Sequence, residues 1–142
     1  MRGLLDVNAL IALFDEDHPF NATIREWWVE NRAGGWASCP LTENGFLRVV
    51  SQRRYSNPMS IAEAFGLFDF AVEEGNHAFW PDDISLTDRL RIDRNYVIGP
   101  KQLTDIYLLA LAAKHGGRLV TFDRTIPLAS VREAAPENLV IL

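Results

Sequence analysis

The chain is 142 residues long with 48% apolar and 23% charged side chains, the balance of one globular domain, which excludes a disordered or fibrous segment. No apolar run reaches the roughly 18 residues of a membrane helix, and Asp6 interrupts the apolar start, so neither a spanning segment nor a cleavable leader is expected. Nineteen acids against fourteen bases leave a net charge of −5, too acidic for wholesale coating of nucleic acid, and the lone Cys39 forms no intrachain disulfide or zinc cluster and suits a reducing cytoplasm.

Gly3 to Asp6 reads as a very short buried strand, followed by a helical apolar pattern from Asn8 to Phe14. The run Asp15 to Pro19 breaks that pattern, and Pro19 opens a helix over about Phe20–Arg32 that Gly34-Gly35 stops. Trp36 to Cys39 is a second strand ending at Pro40, with Thr42 capping a helix through about Gln52. After a polar loop from Arg53 to Pro58, Ser60 caps a helix over Ile61–Glu74 whose apolar face is expected to hold Ala64, Phe65, Leu67, Phe68 and Ala71. Gly75-Asn76 turns into a strand around Ala78–Trp80, and a small helix is predicted over Leu86–Asp93. The clearest helix runs from about Gln102 to His115, with Ile106, Leu108, Leu109, Ala112 and Ala113 inward and Gly116-Gly117 as its stop. Arg118–Phe122 and Asn138–Leu142 are the last strands. Wholly apolar strands alternating with helices predict an α/β fold, a central parallel sheet covered on both faces, in a single domain spanning residues 1–142.

Sites in such sheets lie beyond the carboxyl ends of the strands. Asp6 and Asp123 end the first and fourth strands there, Glu43 lies in the first turn after the second, and Asp105 opens the long helix before the fourth. Taken singly, Glu43 and Asp105 suit the helix dipole, Asp6 suits a helix cap and Asp123 suits a turn. Four carboxylates on one edge repel unless a cation neutralises them, and oxygen donors select Mg²⁺ or Mn²⁺, which pair with phosphate substrates. No dinucleotide, P-loop or nucleophile-elbow motif is present, and Cys39 lacks a histidine partner in sequence. His18, His77 and His115 lack metal-ligand spacing and are read as structural or solvated.

Four segments carry a family resemblance: Leu4 to Ile11, Leu41 to Val49, Thr104 to Ala112 and Gly117 to Asp123, in an order and spacing that cover nearly the whole chain. They resemble the motifs of PIN-domain proteins and, more narrowly, the VapC toxins of bacterial toxin–antitoxin pairs. Phe79 to Asp82 is also similar to that pattern. The resemblance implies a PIN-like three-layer fold and a Mg²⁺- or Mn²⁺-dependent endoribonuclease with Asp6, Glu43, Asp105 and Asp123 as its catalytic, metal-holding acids. Asn8 and Thr104 fall where such proteins carry polar helpers. It also implies a homodimer and a cognate VapB-type antitoxin that blocks the site.

Chemically, such a site would polarise a scissile phosphate of RNA and acidify a water, with one ion or two left open by the sequence. Arg48, Arg53 and Arg54 follow Glu43 and are candidates to hold RNA phosphates, or equally a solvated helix face. The large apolar side chains Trp27, Trp28, Phe65 and Phe68 exceed what one small core hides, which also points to a homodimer. Two rival readings stand beside this one. A phosphoryl-transfer α/β domain would need a sheet-end lysine or Asp-x-Asp, where this chain has Asn8; a non-catalytic module on a PIN scaffold would not need four intact acids.

Overall fold

The computed structural model describes residues 1–142. Five short strands, β1 (Gly3–Leu5), β2 (Trp36–Ser38), β3 (His77–Phe79), β4 (Arg118–Thr121) and β5 (Leu139–Ile141), form one sheet in the order β3-β2-β1-β4-β5, with every pair parallel. The helices are α1 (Val7–Phe14), α2 (Asn21–Asn31), α3 (Pro40–Val50), α4 (Ile61–Glu74) and α5 (Leu103–Lys114).

Alternation along the strands divides the core into two layers. Leu4, Ala37 and Leu119 face one side and pack with Ile106, Leu109 and Ala110 of α5. Leu5, Trp36 and Val120 face the other and pack with Leu10, Ile24, Phe46 and Ala64 of α1 to α4. Each large aliphatic side chain so buried contributes about 1.5–3 kcal/mol through loss of water contact. Because both faces are covered, strands of three or four residues suffice, and their apolar runs show no polar alternation.

The sheet order places β1 beside both β2 and β4. The chain builds outward through β2 and β3 on one side of β1 and through β4 and β5 on the other. The strand order thus reverses between β1 and β4, the point beyond whose carboxyl ends open parallel sheets place their sites.

Two local expectations are corrected. No helix forms over Leu86–Asp93; successive turns replace it, with a single bridge between Ile92 and Val131 and a one-turn 3₁₀ segment at Arg94–Tyr96. Side chains capture the backbone there instead: Ser85 Oγ accepts from Thr87 N, Asp88 Oδ1 from Leu90 N and Asp93 Oδ1 from Asn95 N, at 2.9–3.1 Å. In α4, the narrow stripe Ala64, Phe68 and Ala71, at i, i+4 and i+7, turns inward with Val72 beside it, while Phe65 and Leu67 are exposed together with Ile61 and Phe70. The paired tryptophans separate as their 100° spacing requires: Trp27 is buried beneath the Arg118 guanidinium, and Trp28 is half-buried, edge-on to Trp36.

Candidate metal centre

Asp6 follows β1 at the reversal point and serves two structures at once. Its Oδ1 accepts from Ala9 N at 2.7 Å, capping α1, and its Oδ2 accepts from Thr121 Oγ1 at 2.6 Å, across the gap to β4. The residue is 4% exposed. Burial pushes its carboxyl above the usual range, partly offset by these hydrogen bonds, and the Asp123 charge adds to the rise.

Asp123 lies just past β4. Its amide donates to Thr121 Oγ1 at 3.0 Å, and its Oδ1 accepts from both the amide and the hydroxyl of Thr125, at 2.7 and 2.6 Å. Those donors, the hydroxyl first, hold it below the ordinary carboxylate range. Asp105 is half-buried in the first turn of α5. Burial, then the charges of Asp6 and Asp123, push it up to about 6. Three aspartates from three separate elements therefore form one electrostatic unit at the reversal point.

Glu43 is the exception within the predicted quartet. It sits in the first turn of α3, half-buried, and its Oε1 accepts from Ser38 Oγ at 2.6 Å. It is not among the groups that chiefly shift the three aspartates. No three of the acids, histidines or cysteine already converge as closely as metal ligands do. Three of the carboxylates are each held by a hydroxyl, Asp6 by Thr121, Asp123 by Thr125 and Glu43 by Ser38. The donors are all hard oxygens, the set that Mg²⁺ and Mn²⁺ prefer, and like charges that lift Asp105 are what a cation would neutralise.

The remaining predicted residues lie nearby or farther out. Asn8 is exposed in the first turn of α1, where its backbone amide supports the Asp6 carboxylate. Thr104 is exposed beside Asp105, on the wall of a shallow cleft of about 370 Å³ that Leu41, Asp82, Ile84, Leu103 and Tyr107 also line. Arg48 is exposed near the end of α3, and Arg53 and Arg54 follow that helix. At 1.5 Å per residue Arg48 stands about 7.5 Å beyond Glu43 along the helix axis, and Arg53 and Arg54 lie past the end of the helix, farther from the acid. Lys101, four residues before Asp105, and Arg124, next to Asp123, are both exposed.

Sequence reasoning missed the threonines and the Ser38 link. A polar Thr121 inside the apolar strand Arg118–Thr121 was an available signal for the first. The Ser38–Glu43 bond spans only five residues, whereas the contact of Ser38 with His77 depends on the pairing of β2 with β3, which the sequence does not display. His77, placed in a turn from sequence, instead opens β3, with its Nε2 at 2.8 Å from Ser38 Oγ.

A PIN-domain family model matches residues 3–132. Ribonuclease VapC44 of Mycobacterium tuberculosis strain H37Rv is 48% identical over 142 residues, covering 100% of both chains. Ribonuclease VapC38 of the same strain is 43% identical, covering 99% of each, and Ribonuclease VapC39 is 39% identical over 99% of this chain and 98% of its own. Among solved structures, PAE2754 from Pyrobaculum aerophilum superimposes with a TM-score of 0.59 at 20% identity, over 99% of this chain and 84% of that one, a likeness of fold alone. The chain belongs to the PIN-domain family, and within it to the VapC group that these full-length relatives represent.

Proposed function

We propose that the protein is a divalent-metal-dependent endoribonuclease that acts as the toxin of a VapBC-type pair, with Asp6, Asp105, Asp123 and Glu43 as its acids. The observation that carries this is the coupled triplet Asp6, Asp105 and Asp123 at the strand-order reversal, built from oxygen donors alone. The relatives named as ribonucleases support RNA as the substrate.

When bound, Mg²⁺ or Mn²⁺ would supply Lewis-acid polarisation of the phosphodiester and a more acidic water. Asp6, Asp105 and Glu43 would hold the ion directly or through water. Asp123, anchored by Thr125, would act as an outer ligand and keep Asp105 in place. Thr121 ties the β1 and β4 sides of the site into one unit through Asp6 and the Asp123 amide. With Asp105 pushed up to about 6, its carboxylate is mostly ionised only around neutral pH, so cleavage should strengthen from pH 5 to 7.5 as that group becomes free to ligate. Lys101 and Arg124 would meet the phosphates beside the scissile bond, and Arg48, Arg53 and Arg54 only more distant ones.

The test is cleavage of RNA by the purified chain with Mg²⁺ or Mn²⁺. Cleavage that disappears in EDTA and drops roughly a hundredfold in Asp105→Asn is expected, the scale of losing one electrostatic stabiliser. Undiminished cleavage in chelator would refute the proposal. A VapB-type antitoxin and a second copy of the chain are the expected protein partners, for which the exposed Ile61, Phe65 and Phe70 of α4 offer unpartnered apolar surface.

A further inference from the structure

Ser38, His77 and Glu43 have the composition of a hydrolase triad but the wrong order. In a nucleophilic triad the acid orients the histidine, and the histidine faces an open serine. Here the serine stands in the middle: its Oγ lies 2.6 Å from Glu43 Oε1 and 2.8 Å from His77 Nε2, and Ser38 is fully buried. A nucleophile has no access to substrate from that position. The arrangement can, however, hold Glu43 in place.

Donor arithmetic fixes the direction of the chain. A carboxylate only accepts, so the single hydroxyl proton of Ser38 goes to Glu43. Ser38 Oγ must then accept from His77, which requires the proton on Nε2. The sheet supplies the alignment. Trp36 pairs with His77 in the parallel register of β2 and β3, and Ser38 lies two residues further along the same face, diagonal to His77. The imidazole cannot swing freely: its ring lies 4.4 Å from that of Trp36 and 6.3 Å from that of Phe68. Burial, and then the nearby Arg2 charge, keep its basicity below normal and favour the neutral ring with one N–H.

We infer that His77 is a positioning residue for the metal centre, acting through Ser38 to aim the Glu43 carboxylate. The inference rests on Glu43 serving as an acid of that centre. Without the His77 donor, the Ser38 hydroxyl is free to rotate away, and Glu43 loses the one side-chain hydrogen bond that holds it. Partners that orient metal ligands typically change affinity by 10–100-fold, and a residue one bond further out should act at the lower end, about tenfold.

The experiment compares wild type with His77→Phe, which keeps an aromatic ring but no donor, and His77→Gln, which keeps an N–H of similar reach. Mn²⁺ affinity is measured by calorimetry without RNA, melting temperature is measured in EDTA, and the protonated ring nitrogen of His77 is identified by ¹⁵N NMR of the wild type. The expected result is a neutral ring protonated on Nε2, an approximately tenfold weaker Mn²⁺ Kd in His77→Phe, and recovery of most of that loss in His77→Gln. Equal affinities in all three proteins, or equal loss in both variants, would overturn the relay, as would a proton found on Nδ1. The nuclease proposal fails separately: if the wild type neither binds Mn²⁺ nor cleaves RNA, that reading falls. An Nδ1 proton overturns the relay whether or not the ion binds.

Discussion

At the scale of the residue, Asp105 is where a helix-start acid and a metal ligand differ most clearly. Its carboxyl is pushed up to about 6 in the fold, against 3.8 for an unperturbed aspartate. Between those values the folded chain holds a proton that the unfolded chain has released, so metal-free stability falls as pH rises through the window and levels off above about pH 7. After solvent screening at a half-buried site, the loss is about 1–2 kcal/mol, or roughly 3–8 °C of melting temperature for a domain of this size. Asp105→Asn should therefore melt above the wild type at pH 7.5 in EDTA and show less of the decline between pH 5 and 7.5. Differential scanning fluorimetry at the two pH values measures this directly. His77, held neutral, works in the opposite sense across part of the same window, but equally in both proteins. If Asp105→Asn melts lower at pH 7.5 and has the wild-type slope, the carboxylate is a structural group of the helix and not part of a crowded anionic site.

Among the elements, the approach of α1 to α3 decides how near Asp6 and Glu43 can stand. Gly45 makes that approach possible: a Cβ there would lie 2.5 Å from Cγ2 of Val7, the residue after Asp6. Gly45→Ala should destabilise the protein by about 1–2 kcal/mol, the overpacking cost less the better helix propensity of alanine. Val7→Ala combined with it should recover part of the loss. Urea denaturation of the two single variants and the double variant gives the coupling energy, and simple additivity would show that the two side chains do not collide. This glycine also marks the limit of what was legible in the sequence. The α5 helix, the Gly116 stop with its φ of +63°, and the four acids at strand and helix ends could all be read locally, because periodicity and punctuation are properties of neighbouring residues, although α5 buries Ala110 and Leu111 beyond the expected face. Gly45 meeting Val7, and Ser38 meeting His77, depend on how elements pack and register, and no local pattern encodes either. The Leu86–Asp93 segment misled for a related reason: its apolar spacing permitted a helix, but Ser85, Asp88 and Asp93 offered the backbone closer partners.

For the molecule as a whole, β1 and β4 are adjacent in space but more than 110 residues apart in the chain, and the Thr121–Asp6 hydrogen bond closes that loop. The site can therefore form only after the entire domain has folded. The sequence-based case for a homodimer rested on Trp27, Trp28, Phe65 and Phe68, yet Trp27 is buried and Phe68 packs against the second core layer. The apolar surface that α4 leaves open includes Ile61, Phe65 and Phe70, at 59%, 51% and 63% exposure. Light scattering at tens of micromolar should give a mass near 32 kDa, twice that of the 16.0 kDa chain; a monomer mass would count against self-association.

Asp6 is at once the cap of α1, the partner of Thr121 and a member of the acidic triplet. Anyone producing a disarmed form of this protein, for partner capture or crystallisation, would naturally mutate the first acid of the chain. That choice would confound loss of activity with damage to the fold, since replacing an N-cap aspartate by alanine costs about 0.5–2 kcal/mol by itself and leaves the Thr121 hydroxyl without its acceptor. Asp105 makes no cap and accepts no backbone hydrogen bond, so silencing there would leave the partner-facing architecture intact.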